Sequence, residues 1–269
     1  MGPAPDPRTV LTERQREEKT YFSRERWPFK SWKIDESIIP WNLRAFDRVL
    51  LESVGGREAL EGKHVLDCGC GWGILSVLLA QRGARVAAVD LSPECVEIAS
   101  RLARENEVEE RVDARVGVLE KLEFGDESFD ILVGTRILHH VDIETSAREL
   151  FRVLRHPGTA VFWECTDRNR PYRFLRRLWR SVPLVPISGT RNEHPLTREE
   201  LDKLDRTFGG TLATHPAPSS FFSHLATVLT RGKLPFAERV AGAVDRSLNR
   251  AFPALEAHGL HQILVLKKS

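Results

Sequence analysis

The stretch Val65-Leu-Asp-Cys-Gly-Cys-Gly-Trp-Gly-Ile-Leu-Ser76 concentrates the residue types from which a ligand site is built. Asp67 is followed by three alternating glycines, Gly69, Gly71 and Gly73, interleaved with Cys68, Cys70 and Trp72. Glycine lets the backbone turn sharply and approach a bound molecule with no Cβ in the way. The apolar run from Ile74 predicts a helix, whose first N–H groups and partial positive charge suit a carboxylate or phosphate. A second acid, Asp90, lies about twenty residues beyond the first glycine, the separation at which a carboxylate reaches ribose hydroxyls. The expected ligand is a nucleoside that carries an anionic group.

Such a loop needs a sheet edge to hold it. His64–Asp67 reads as a short buried strand, Ile74–Arg82 as a helix, and Arg85–Val89, closed by Asp90, as a second strand. Ser92 caps the next helix with Pro93 at its first position, and Cys95, Ile98, Ala99 and Leu102 form its inward stripe. Arg111–Val118 and Phe129–Val133 read as further strands. Asp142 then caps a helix with Ile143, Ala147, Leu150, Phe151 and Leu154 on one face, which Pro157-Gly158 is expected to stop. Thr159–Glu164 is a fifth strand. Strands alternating with amphipathic helices predict an α/β, Rossmann-like, doubly wound sheet, mostly parallel, with helices on both faces.

Outside this core the pattern loosens. Residues 1–20, Pro-rich and then charged, are expected to be frayed or weakly helical. Residues 21–41 carry Tyr21, Phe22, Trp27, Phe29, Trp32 and Trp41, a density that predicts docking onto something. Leu43, Phe46, Leu50 and Val54 recur at helical spacing, and Gly55-Gly56 ends that helix. Thr197 and Glu200 fit a capping box. Gly210–His215 and Gln262–Lys267 read as strands, with 219–252 helical between them. The expected division is a helical and aromatic lid segment over 1–60, a ligand-binding core over 61–165, and the C-terminal half of the sheet over 166–269. That last part holds an arginine-rich insertion, 167–196, and a helical cap, 219–252.

Composition narrows the class. With 41% hydrophobic and 29% charged residues, the 269-residue chain is neither disordered nor fibrous. A formal charge of +2 implies no global attraction to nucleic acid, so any basic surface is local. No apolar run approaches the roughly 18 residues of a membrane span. The N-terminus has no apolar leader core, so a cytoplasmic protein is expected. The four cysteines, Cys68, Cys70, Cys95 and Cys165, contain one C-x-C and no C-x-x-C, which predicts reduced thiols and no metal.

Two cofactor classes fit the loop. The dinucleotide fingerprint is G-x-G-x-x-G, whereas this loop is G-x-G-x-G behind Asp67, an anion poorly placed beside pyrophosphate. Asp67 suits a ligand with its own ammonium, and S-adenosylmethionine combines ammonium, carboxylate and ribose. VLDCGCGWG, VAAVDLSP and ESFDILVGTRILHHV, in that order, resemble the class I S-adenosylmethionine-dependent methyltransferase family, in its small-molecule branch, from about residue 62 to 165. The resemblance implies a mostly parallel seven-stranded sheet whose last strand is antiparallel. It implies that the loop from Cys68 to Gly73, with Gly69, Cys70 and Gly71, lines the methionine part, and that Asp67 lies near its amino group. Asp90 would bind the ribose, and Leu91 would pack beside the adenine. Val118 stands where relatives carry an acid, which moves adenine recognition to the Leu119 backbone or to Glu120. Thr135 and Arg136 would lie where cofactor faces substrate.

Methyl transfer is an in-line displacement that needs alignment and exclusion of water, with a base only where the acceptor must lose a proton. His139 and His140 follow the fourth strand and either serve there, as base or orienting group, or pack the turn into the Asp142 helix. Arg168–Arg180 holds six arginines and no acid. It would meet anionic lipid or an anionic substrate, or form a solvated face. His194 is a weaker candidate. Phe221, Phe222, Leu225, Leu229, Phe236 and Phe252 would form an apolar acceptor pocket or simply core. The expected acceptor is a small lipophilic or aromatic molecule. A nucleic-acid or protein methyltransferase lacks its N-P-P-Y-like tetrapeptide here, and a binding module without turnover is the remaining alternative.

Overall fold

Strands form where β-branched and aliphatic residues run between turn signals, and among the described residues they number seven: β1 (His64–Cys68), β2 (Arg85–Asp90), β3 (Val112–Val116), β4 (Phe129–Thr135), β5 (Leu154–Cys165), β6 (Ala213–Pro216) and β7 (His261–Lys268). The computed structural model describes residues 11–23, 32–35, 43–167, 194–218, 221–230, 234–252 and 261–269. Among them the strands make one sheet in the order β3-β2-β1-β4-β5-β7-β6. β1 to β5 are parallel, and β7 runs antiparallel between β5 and β6. The direction of winding reverses between β1 and β4, and at such a switch the carboxyl ends of the strands open a crevice.

Eight α-helices are described: α1 (Glu13–Phe22), α2 (Arg44–Val54), α3 (Ile74–Gln81), α4 (Pro93–Glu105), α5 (Ile143–Val153), α6 (Arg198–Thr207), α7 (Phe221–Thr230) and α8 (Pro235–Ala251). Alternate strand residues feed two cores. Val65, Val133, Val161 and Ile263 meet α2, α3 and α4 on one face. Leu66, Leu132, Phe162 and Leu264 meet α5 and α6 on the other. Burial on both faces accounts for the near-continuous apolar runs in the central strands.

Several boundaries differ from the expectation, each for a local reason. Residues 13–22 are a formed helix, closed at its start by a capping box between Thr12 and Gln15. α2 belongs to the core, with Phe46 and Leu50 buried and Asp47 paired to buried Arg82 at 2.5 Å. α5 ends at Val153, before Pro157-Gly158. Leu154 already pairs with Phe129, and the ladder resumes at Thr159 opposite Ile131, leaving the intervening residues as a bulge inside β5. β3 ends at Val116, two residues before the expected Val118, and Gly117 N–H makes the last bond of its parallel ladder, to the Asp90 carbonyl. Trp27, Phe29, Trp41 and the arginine-rich stretch 168–180 lie outside the described residues.

Candidate functional site

The crevice begins where β1 ends. Gly69, Gly71 and Gly73 all hold left-handed backbone, with φ of 67°, 52° and 79°. Their roles differ. A Cβ on Gly69 would lie 2.5 Å from the Ile137 side chain, and one on Gly73 would lie 2.6 Å from the Ala99 Cβ, so these two permit packing of β4 and α4 against the loop. A Cβ on Gly71 would meet nothing within 4 Å. Gly71 is therefore the glycine beside open space, as a cradle for a ligand requires.

Asp90 ties this loop to β2. Its Oδ2 accepts Gly71 N–H at 2.8 Å and its Oδ1 accepts Ser92 N–H at 2.9 Å. Gly69 and Cys70 N–H both donate to the Val89 carbonyl. Burial raises the Asp90 carboxyl above its ordinary range, against the lowering effect of those two N–H groups and of nearby His140. Leu91 follows, half-buried.

Asp67 is 2% exposed and accepts the Ser76 hydroxyl at 2.6 Å. Burial pushes its pKa up to about 7, opposed by the Ser76 bond and aided by the Asp90 charge. It sits under the loop as a buried acid held by α3. Burial, reinforced by these acids, also raises the Cys68 and Cys70 thiols. Among the described residues no cluster of metal-ligating side chains occurs.

On the β3 side, Leu119 is 3% exposed and Glu120 Oε1 accepts Asp142 N–H at 3.2 Å. Glu120 thus steadies the start of α5. On the β4 side, Thr135 ends the strand half-buried, and Arg136 takes left-handed backbone at φ 56° while its N–H donates to the Trp163 carbonyl. A short 3-10 turn, Leu138–His140, follows.

The two histidines part company here. His139 is 3% exposed with Nδ1 2.7 Å from Glu164 Oε2, and the other oxygen of Glu164 accepts Ile137 and Leu138 N–H at 2.8 Å each. Glu164, fully buried on β5, therefore fixes the whole turn. His140 instead faces α1. Glu18 Oε2 lies 3.0 Å from its Nδ1, and Phe22 meets the ring edge-on at a centroid distance of 5.4 Å.

α1 is anchored at both ends. Arg14 donates to the His139 carbonyl at 2.9 Å, while Ser23 Oγ, just past the helix, donates to Glu94 Oε2 at 2.6 Å. The helix spans from the turn after β4 to the start of α4 after β2, and β1 with its glycine loop lies between those strands. Glu18 and Glu164 escaped the sequence reading, and α1, expected to be frayed or weakly helical, is a formed helix. Their partners are remote in the chain, and only the Thr12/Gln15 spacing announces the helix.

Residues 66–162 match a family described as a methyltransferase domain. A ubiquinone biosynthesis O-methyltransferase of Xanthomonas campestris pv. campestris (strain B100) is 37% identical over 139 residues, 51% of this chain and 56% of that protein. The chain spans about half the length of the curated relatives it matches. Among solved structures, a geranyl diphosphate methyltransferase in complex with GPP and sinefungin superposes with a TM-score of 0.63 at 17% identity, covering 97% of this chain and 100% of that one. The [4+2]-cyclase SpnF superposes at 0.58 with 21% identity, covering 87% of this chain and 85% of that one. The fold is thus shared by proteins named for different reactions, and these similarities speak to fold alone. Residues 66–162 are thus similar to a methyltransferase domain, and they lie in a Rossmann-like, mostly parallel seven-stranded sheet.

Proposed function

We propose that this protein transfers a methyl group from S-adenosylmethionine to a hydroxyl of a small, lipophilic or aromatic acceptor. The observation that carries this reading is the Gly69–Gly73 loop, left-handed throughout its glycines, tied by Gly71 N–H to the Asp90 carboxylate and open at Gly71. S-adenosylmethionine, when bound, supplies a methyl group already activated by a sulfonium. Gly69, Cys70, Gly71 and Gly73 offer backbone to its methionine part, with Asp67 as a buried negative charge beneath. Asp90 offers carboxylate oxygens to the ribose, Leu91 an apolar side to the adenine, and Leu119 with Glu120 the adenine edge. Cys68 packs under the loop, and Thr135 bounds the acceptor side.

His140 is assigned as the group that takes the acceptor's proton. Glu18 Oε2 stands 3.0 Å from Nδ1, so the exchange of the acceptor's proton is assigned to Nε2. His139, locked on Glu164, positions the turn. α1, from Arg14 to Ser23, acts as the lid that excludes water from this crevice. The hydroxyl acceptor follows the O-methyltransferase similarity and the presence of a histidine in the turn after β4. The arginine-rich stretch 168–180 is assigned to an anionic contact, a lipid headgroup or an acidic group on the acceptor.

The test is direct. S-adenosylhomocysteine is expected to raise the melting temperature of the wild type. Asp90→Ala is expected to weaken its affinity about a hundredfold, since two or more charge-assisted hydrogen bonds are lost. No shift with S-adenosylhomocysteine, beside a clear shift with a dinucleotide, would overturn the assignment.

A further inference from the structure

α7 and α8 pack together with their polarity inverted. On the α8 side that faces α7, Asp245 is 2% exposed and accepts Phe222 N–H, Ser223 N–H and Ser223 Oγ at 3.0, 2.8 and 2.6 Å, capping the first turn of α7. The opposite side of α8 carries Phe236, Val240 and Val244, exposed at 78%, 47% and 40%. They recur every four residues and so share one face. Leu234 and Phe252, just beyond the two helix ends, are also exposed.

Charge decides what meets this face. Arg239 and Arg250 are exposed and fall, at helical spacing, along one flank of the Phe236–Val244 row. Every exposed charged side chain described on α8 is an arginine, Arg246 included. A second copy of the same face would set arginine against arginine, an unfavourable pairing. An apolar row edged by arginines is the arrangement of a helix that lies in the plane of a membrane interface.

We propose that α8 docks on an anionic lipid surface, its Phe236–Val240–Val244 row at the boundary of headgroup and acyl chain and Arg239 and Arg250 against lipid phosphates. Lipid docking by this face does not rest on methyl transfer, and it uses none of the residues that line the cofactor crevice.

Flotation of the full chain with vesicles tests it. The wild type is expected to float with equimolar phosphatidylcholine and phosphatidylglycerol, and to stay in solution with phosphatidylcholine alone. Phe236→Ser with Val240→Ser is expected to lower partitioning at least about tenfold, and Arg239→Gln with Arg250→Gln about fivefold for each arginine removed. The response to S-adenosylhomocysteine in a melting assay is expected to be unchanged in all of them. Equal binding to both vesicle types, no binding to either, retention of anionic binding by both double variants, or a concentration-dependent dimer dissolved by Phe236→Ser would each overturn the proposal.

Discussion

At the scale of single residues, the acids under and beside the loop carry a pH signature. Asp67 holds its proton up to about pH 7 in the folded protein, chiefly because of burial, while an unfolded aspartate ionises near 3.9. The folded state therefore binds more protons between those values, and the Asp67 contribution to stability falls as pH rises from about 4 to about 7. Asp67→Asn, which retains an oxygen for the Ser76 hydroxyl, is expected to raise the melting temperature at about pH 8 and to change it little at about pH 4. Equal shifts at both ends would show that the side chain is not buried as an acid. The same burial means that a ligand ammonium above the loop favours the ionised form, so S-adenosylhomocysteine affinity is expected to rise with pH up to about 7 and to lose that slope in the variant. A second residue-level outcome separates the histidines. His140→Ala is expected to lower kcat about a hundredfold with KM little changed, and Glu18→Gln about tenfold. His139→Gln is expected to act on stability instead, since its partner Glu164 is buried and binds the turn. Unchanged turnover in His140→Ala would remove that histidine from the chemistry.

At the scale of elements, the strand–loop–helix unit distinguishes glycines that the sequence presents as equivalents. Gly73→Ala forces a Cβ into Ala99 of α4 from left-handed backbone, and a loss of about 3 kcal/mol in denaturant unfolding is expected. Gly71→Ala meets open space and is expected to cost only about 1 kcal/mol of stability, yet to weaken S-adenosylhomocysteine binding by at least about tenfold. If both variants lost stability equally with binding intact, the open side of Gly71 would not be where a ligand lies. The contrast also shows what the sequence exposes and what it conceals. Periodicity and capping residues reveal β1, α3, β2 and α4, because each is set by neighbours within a few positions, and the acids at the two strand ends come with them. The α5–β5 junction misleads, since Pro157-Gly158 looks like a helix stop while pairing of Leu154 with Phe129 has already ended the helix. Glu164 and Glu18 carry no local signal at all. One is a buried acid at the end of an apolar strand, the other a charge in a polar helix, and each acquires meaning only from the turn after β4 that it contacts.

At the scale of the whole molecule, α1 and α2 illustrate two ways of attaching a helix to the same sheet. α2 buries Phe46, Val49 and Leu50 in the core and pairs Asp47 with Arg82, so it opens only when the sheet itself is lost. α1 is a polar helix whose one buried residue is Glu18, and its ties to the rest of the protein include those of Arg14, Glu18, Phe22 and Ser23. Few apolar contacts mean a low free energy of local opening, which suits an element that must admit and release a cofactor. Hydrogen exchange followed by peptide mass analysis is therefore expected to show residues 13–22 exchanging much faster than residues 44–54 in the free protein. Saturating S-adenosylhomocysteine is expected to slow α1 by about tenfold or more while leaving α2 unchanged, because the proposed ligand on the glycine loop would lie between the two anchors of the helix, the β4 turn and α4. Arg14→Ala is expected to abolish most of that slowing without altering the exchange of α2. Exchange in α1 as slow as in α2 before any ligand is added would instead make it a fixed wall of the crevice, and entry of the cofactor would then need another element to move.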